Sequence, residues 1–150
     1  MKKYHVAYLF CALIFCSLDY LWLHRIAADF YRGQLGRLLA KPDLAATILF
    51  YLTYVLGIVA FCVRPALRAD SAGVAMGMGV LLGLIAYGTH DLNNLAAIRG
   101  WSMRVTVVDM AWGIFLTGIA AEGGFFAARW LHPASLSEGR PQRRSYYARG

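Results

Sequence analysis

Residues 71–97 read SAGVAMGMGVLLGLIAYGTHDLNNLAA, and the only ionisable side chains among them are His90 and Asp91. A helix needs about 20 mostly apolar residues to cross roughly 30 Å of hydrocarbon, so this stretch is long enough to span a membrane. Three further runs have the same character, at residues 4–23, 44–63 and 105–128. The sequence therefore predicts an all-α integral membrane bundle of four transmembrane helices.

The composition of the 150-residue chain agrees with that class. Hydrophobic residues make up 59% of the chain and charged residues only 15%, whereas about a quarter of the residues in a soluble domain are charged. This excludes a soluble globular domain, a coiled coil and a disulfide-stapled secreted module. The three cysteines, Cys11, Cys16 and Cys62, lie within apolar runs, where they are expected to pack as small apolar side chains.

Short polar segments separate the four runs and allow the chain to turn back. Pro42 lies just before the second run, Pro65 just after it, Ser71 is suited to cap the third, and Gly100 precedes the fourth. The longer connection, His24–Asp43, mixes apolar and charged residues. It is predicted to form an interfacial or broken helix that caps one end of the bundle.

The first run also has features of a secretory signal peptide, since Lys2 and Lys3 precede it. Its length, with Asp19 and Trp22 near its end, favours a helix that is retained in the mature protein. We therefore treat residues 1–131 as the transmembrane domain, and residues 132–150 as a basic tail that is predicted to be disordered.

The distribution of basic residues predicts the orientation in the membrane. Nine Lys and Arg residues fall on the side of the two termini and the second loop, and six fall on the other side. By the positive-inside rule, both termini are expected in the cytoplasm. The basic tail is expected to contact anionic lipid headgroups, and nucleic acid is not an expected partner.

Three aspartates of the apolar runs are predicted to lie at one end of the bundle. Asp19 is near the end of the first run, Asp91 near the end of the third and Asp109 near the start of the fourth. Antiparallel helices bring those three positions to the same membrane surface. Since ionisable side chains are costly at depth and tend to mark function, we predict that all three line one polar pocket.

Neighbouring polar and aromatic residues extend this candidate site. Tyr87, His90, Asp91 and Asn94 share a helical face, and each of Asp19 and Asp109 is followed three residues later by a tryptophan. Tyr51 or Tyr54 is expected to reach the floor of the pocket. Because converging carboxylates repel, at least one is expected to be protonated or paired with Arg25, Arg99 or Arg104. The candidate ligand-binding residues are Asp19, Trp22, Tyr87, His90, Asp91, Asn94, Asp109 and Trp112.

The third run also contains small residues at the spacing of close helix contacts. Gly73 and Gly77 form one pair, and Gly79 and Gly83 form another. Such pairs let a neighbouring backbone approach closely. They predict tight packing within the bundle, and they offer a surface for a homo-oligomer or a larger membrane complex.

Several strings resemble the small bacterial membrane proteins known as domain of unknown function 2177. The strings are LDYLWL at 18–23, FY at 30–31 and at 50–51, VRPAL at 63–67, AYGTHDLNNLA at 86–96 and VDMAWG at 108–113. The resemblance covers residues 1–128, with His90 where a tyrosine is expected. It implies a four-span inner-membrane protein and supplies no mechanism.

Three functions fit these features, and the sequence names no cofactor. The first is binding or processing of an amphipathic, lipid-like ligand at the aspartate cluster, in whose enzymatic form one carboxyl would act as acid and another as base. The second is a small proton-coupled transporter, although carboxylates at one end fit alternating access less well. The third is an accessory subunit of a membrane complex. No spacing motif supports a metal site.

Overall fold

The fold is seen in a computed structural model that describes residues 2–131. No strand occurs among the described residues. The tail predicted for residues 132–150 lies outside them. The α-helices are α1 (Lys2–Leu21), α2 (Ala28–Leu35), α3 (Leu44–Ile58), α4 (Arg64–Ala69), α5 (Ala72–Ala97) and α6 (Met103–Leu131).

Two wide π-helical turns extend these helices. One, Trp22–Ile26, continues α1, and the other, Val59–Val63, joins α3 to α4. Four continuous helical segments are then long and apolar enough to cross a membrane: Lys2–Ile26, Leu44–Ala69, Ala72–Ala97 and Met103–Leu131. The prediction of an all-α bundle with four transmembrane helices is confirmed.

The second span runs further than the sequence predicted, because Pro65 does not end it. A proline lacks an N–H and its ring crowds the carbonyl four residues earlier. Here the π-helical turn Val59–Val63 precedes Pro65, and the proline falls in the first turn of α4. At that position the missing N–H costs little, so the helix continues to Ala69.

Helix α6 is the centre of the bundle and packs along both α5 and α1. Gly79 and Gly83 of α5 lie directly against its backbone. A Cβ atom at Gly79 would lie 2.8 Å from the Thr117 carbonyl oxygen, and one at Gly83 would lie 2.9 Å from the Gly113 carbonyl carbon. These two glycines therefore form the close helix contact that their spacing predicted.

The other glycine pair of α5 has no such role within the chain. Gly73 and Gly77 are exposed, and no heavy atom comes within 4 Å of a Cβ built on Gly77. The prediction of a close contact there is wrong, because α5 turns its Gly79 and Gly83 side toward α6.

Three tyrosine hydrogen bonds attach helix α3 to its neighbours. The Tyr8 hydroxyl donates to the Leu52 carbonyl oxygen at 3.1 Å, and the Tyr51 hydroxyl donates to Asp19 at 2.5 Å. The Tyr54 and Thr117 hydroxyl oxygens are 2.9 Å apart. These bonds connect α3 to α1 and α6 and none of them reaches α5. The first half of α3 therefore stands apart from α5.

Polar contacts at the two ends of the bundle fix the connections. The Asp43 carboxylate accepts from the Ala45 and Ala46 backbone N–H groups and caps α3 at one end. At the opposite end, Ser71 caps α5 as its position predicted, and Arg129 and Asp70 form an ion pair at 2.8 Å.

The segment between the first two spans is a broken helix, as the sequence predicted. It consists of α2 and a short 3₁₀ turn, Gly36–Leu38. Gln34 accepts a hydrogen bond of 2.6 Å from the Ser102 hydroxyl at the start of the last span. The segment thus covers the end of the bundle at which Asp19 and Asp109 lie.

Candidate functional site

A cavity of about 450 Å³ opens between α1, α3, α5 and α6 at this end of the bundle. Its polar wall consists of Asp19, Tyr51, Tyr87, His90 and Asp109, with Thr47 at one side. Its apolar wall is formed by Leu23, Ala46, Phe50, Tyr54 and Ala86.

A second, apolar groove adjoins the cavity along α3. It measures about 460 Å³ and shares Ala46, Phe50 and Tyr54 with the first cavity. Its remaining lining is Leu49, Thr53, Gly57, Phe61 and Leu82. Since Leu49 and Phe61 are largely exposed on a membrane-spanning helix, the groove opens sideways toward lipid. We call the cavity and the groove together the α3–α5 cleft.

The carboxylate of Asp19 is held by two neutral donors. Its Oδ2 accepts from the Tyr51 hydroxyl at 2.5 Å, and its Oδ1 accepts from the Trp112 indole Nε1 at 3.1 Å. Asp19 is only 7% exposed, although it contributes to the cavity wall. Helices α1, α3 and α6 thus meet at this carboxylate, and its position is fixed from two sides.

Asp109 has a corresponding partner from outside the membrane-spanning helices. The hydroxyl of Tyr31 in α2 donates to Asp109 Oδ1 and accepts from the Trp22 indole Nε1 at 3.1 Å. Burial raises the pKa of the Tyr31 phenol above its ordinary value, and the bond to Asp109 raises it further. The phenol therefore keeps its proton and remains a donor at neutral pH.

The two Asp-x-x-Trp motifs are crossed. The tryptophan of each motif is connected by hydrogen bonds to the aspartate of the other motif. Trp112 donates directly to Asp19, whereas Trp22 donates to the Tyr31 hydroxyl, which in turn donates to Asp109. The two indole rings stack with centroids 4.4 Å apart and planes inclined by 8°. The indole of each motif is therefore directed toward the carboxylate of the neighbouring helix.

The polar face of α5 divides into residues that line the cavity and residues that do not. Tyr87 and His90 line it, whereas Asp91 is fully buried outside the lining. Neither Asp91 oxygen has a hydrogen-bond partner among the described residues. The prediction of three aspartates in one pocket therefore holds for Asp19 and Asp109 and is wrong for Asp91. His90 lies at the cavity wall, whereas the adjacent Asp91, about 100° further around α5, is buried outside it.

The other candidate residues support the site without lining the cavity. Asn94 contacts His90, with its amide nitrogen 3.0 Å from the ring Nε2. Trp22 and Trp112 hold the carboxylates as described above. Their predicted place on the cavity wall, and that of Asn94, is therefore wrong.

The predicted arginine partners are not used within residues 2–131. The ion pairs found there join Arg32 to Asp29 and Arg129 to Asp70. Phenol and indole groups, and not Arg25, Arg99 or Arg104, donate hydrogen bonds to the Asp19 and Asp109 carboxylates. In the same part of the chain, no group of three or more His, Cys, Asp or Glu side chains has the geometry to hold a metal ion.

Comparison with protein families places this site in context. A family model described as "Predicted membrane protein (DUF2177)" matches residues 4–126. The chain belongs to this family. No curated protein and no solved structure matches it. The matched residues of this DUF2177 protein contain the two middle spans, most of the first and last spans, and every residue of the site.

Sequence reasoning missed two features of this DUF2177 protein. Tyr31 was placed in the interfacial segment but was not connected to Asp109, although a tyrosine in a segment that caps the aspartate end was a usable signal. The apolar groove was missed as well, because its lining residues are ordinary lipid-facing side chains. Nothing in their spacing distinguishes a groove from a smooth helix surface.

Proposed function

We propose that this membrane protein binds a lipid-like amphiphile in the α3–α5 cleft. The observation that carries the proposal is that a polar cavity adjoins an apolar groove, with Ala46, Phe50 and Tyr54 in the lining of both. The volume of each part lies within the range of ordinary ligand sites, about 300–1,000 Å³. A molecule with a polar head and an apolar chain matches this division.

The polar part of the cleft supports a head group. Asp19 and Asp109 are presented at its wall with their positions fixed by Tyr51, Trp112 and Tyr31. A head group with hydrogen-bond donors would find acceptors there that need no rearrangement. Asp19 and Asp109 thus act as preorganised acceptors in this proposal.

The apolar part supports a chain. Phe61 at its far end is 63% exposed and Leu82 lies on the facing helix. A hydrocarbon chain in the groove would contact both helices and leave one side against bulk lipid. It would lose little by leaving the bilayer, so the head group would supply most of the selectivity.

We further propose that the polar end faces the outer side of a bacterial inner membrane, with both termini in the cytoplasm. The excess of Lys and Arg on the side of the termini supports this orientation. Gly33 is exposed, and a Cβ there meets no heavy atom within 4 Å. A Gly33→Cys variant should react with an impermeant thiol reagent on intact cells, and reaction only after lysis would reverse the orientation.

The binding proposal is tested by blocking the cleft. Ala46 lines both of its parts, whereas the neighbouring Ala45 is exposed and lines neither. Protein purified in mild detergent from bacterial membranes should carry a bound amphiphile, detected by native mass spectrometry. Ala46→Trp should lose it and Ala45→Trp should retain it. Equal occupancy in both variants, or no bound amphiphile in the wild type, would refute the proposal.

A further inference from the structure

The polar cavity is lined by acidic side chains without lysine or arginine among the described residues. The acidic side chains are two aspartates, Asp19 and Asp109. His90 is the remaining ionisable group of the lining apart from the tyrosines. The Asn94 amide nitrogen lies 3.0 Å from the His90 ring Nε2. No lining side chain brings a fixed positive charge.

The hydrogen bonds to the carboxylates do not change that balance. Tyr51 and Trp112 donate to Asp19, and Tyr31 donates to Asp109. A phenol or an indole offers a proton to share but carries no charge. These donors therefore orient the carboxylates and leave their charge available to a ligand.

Aromatic rings surround the space in front of the carboxylates. Phe50 and Tyr54 stack with ring centroids 5.4 Å apart, and Tyr87 of α5 meets Tyr54 edge to face at 6.3 Å. Tyr51 completes this wall. Aromatic faces attract organic cations through their quadrupoles, most strongly where water is excluded.

We infer that the head group of the ligand is an organic cation, an ammonium group on an apolar chain. This inference rests on the proposed function and names the class of its ligand. Carboxylates supply the opposite charge and the aromatic wall supplies cation–π contacts, whereas a phosphate head would meet two carboxylates and no cation. The cleft thus selects against the anionic phospholipids that surround the protein.

The test compares amphiphiles that share a chain and differ only in the head. Wild-type protein in nanodiscs of an uncharged glycolipid, which carries neither ammonium nor phosphate, is titrated with dodecyltrimethylammonium, dodecanol and dodecyl phosphate. Binding to the Ala46→Trp variant is subtracted to remove simple partitioning into the bilayer. The ammonium compound should bind about tenfold more tightly than the phosphate. Asp19→Asn combined with Asp109→Asn should bring that ratio close to one, with helicity confirmed by circular dichroism.

Each other result has a distinct meaning. If dodecyl phosphate or dodecanol binds as tightly as the ammonium compound and Ala46→Trp removes that binding, the cleft binds amphiphiles and the inferred head group is wrong. If the ammonium preference persists in the double variant, the aspartates do not carry it and the inference fails. If Ala46→Trp changes the binding of none of the three compounds, the proposed function fails, and the inference fails with it.

Discussion

Helix α5 meets α6 and α3 in two opposite ways. Against α6 it presents Gly79 and Gly83, which leave no room for a single added carbon atom. Toward α3 it presents Tyr87 and Leu82 across a cleft, and α3 is attached instead to α1 and α6 by tyrosine hydroxyls. Small residues close one helix pair, whereas long hydrogen-bonding side chains hold a third helix at a distance and leave a ligand-sized volume.

Disrupting the close contact between α5 and α6 should have the largest effect on the free energy of unfolding. Gly83→Ala would place a Cβ 3.0 Å from the Ile114 Cα and closer still to the Gly113 backbone, so α5 and α6 would have to separate. We expect a loss of roughly 3 kcal/mol in the free energy of unfolding, at the upper end of overpacking effects. Reversible unfolding in mixed micelles, followed by circular dichroism, measures it.

Gly77→Ala provides the matched control on the same helix. Nothing lies within 4 Å of a Cβ at Gly77, and alanine has the higher helix propensity. This variant should be as stable as the wild type or slightly more stable. If both alanine variants had the same stability, the close contact between α5 and α6 would not exist as described.

Removing a hydrogen bond that attaches α3 to α1 should have a smaller effect on the free energy of unfolding. Asp19→Ala leaves the Tyr51 hydroxyl and the Trp112 indole without their acceptor. We expect a loss of about 2 kcal/mol. A double-mutant cycle with Tyr51→Phe should give a coupling energy of about 0.6 to 1.7 kcal/mol, the range for hydrogen bonds between membrane helices.

Asp29→Ala is the control for that measurement. Asp29 is exposed, and its ion pair with Arg32 is one of surface groups, so its loss should cost less than about 1 kcal/mol. Equal losses in Asp19→Ala and Asp29→Ala, or a coupling energy of zero with Tyr51→Phe, would show that the tyrosine bonds do not hold α3.

The sequence was sufficient to predict a close contact of α5 within the bundle, but it was insufficient to predict the cleft between α5 and α3. Run length and the rarity of charges predicted the four spans, and the alternation of antiparallel helices placed Asp19 and Asp109 at one end. The glycine spacing predicted a close contact but could not decide between Gly79 with Gly83 and Gly73 with Gly77. That choice depends on how α5 is rotated against α6, and both pairs have the same spacing.

The winding of the buried row of α5 explains the error at Asp91. Ala75, Gly79, Gly83 and Asp91 are buried and are separated by one or two steps of four residues. Each such step turns about 40° around the helix axis, so the row winds around α5 and leaves Asp91 outside the cavity lining. A prediction of one constant polar face does not include this winding. Tyr31 was missed for a related reason, since its contact with Asp109 joins residues far apart in the chain.

The most direct test of the account compares two exposed phenylalanines of the membrane surface. Phe61 lines the far end of the cleft and is 63% exposed, and Phe126 of α6 is 52% exposed and does not line the cleft. Each is replaced in turn by the photoreactive p-benzoylphenylalanine, bacterial membranes are irradiated, and the adducts are identified by mass spectrometry. The account predicts a single enriched amphiphile at Phe61 and the bulk lipid mixture at Phe126. The same lipid mixture at both positions would contradict it.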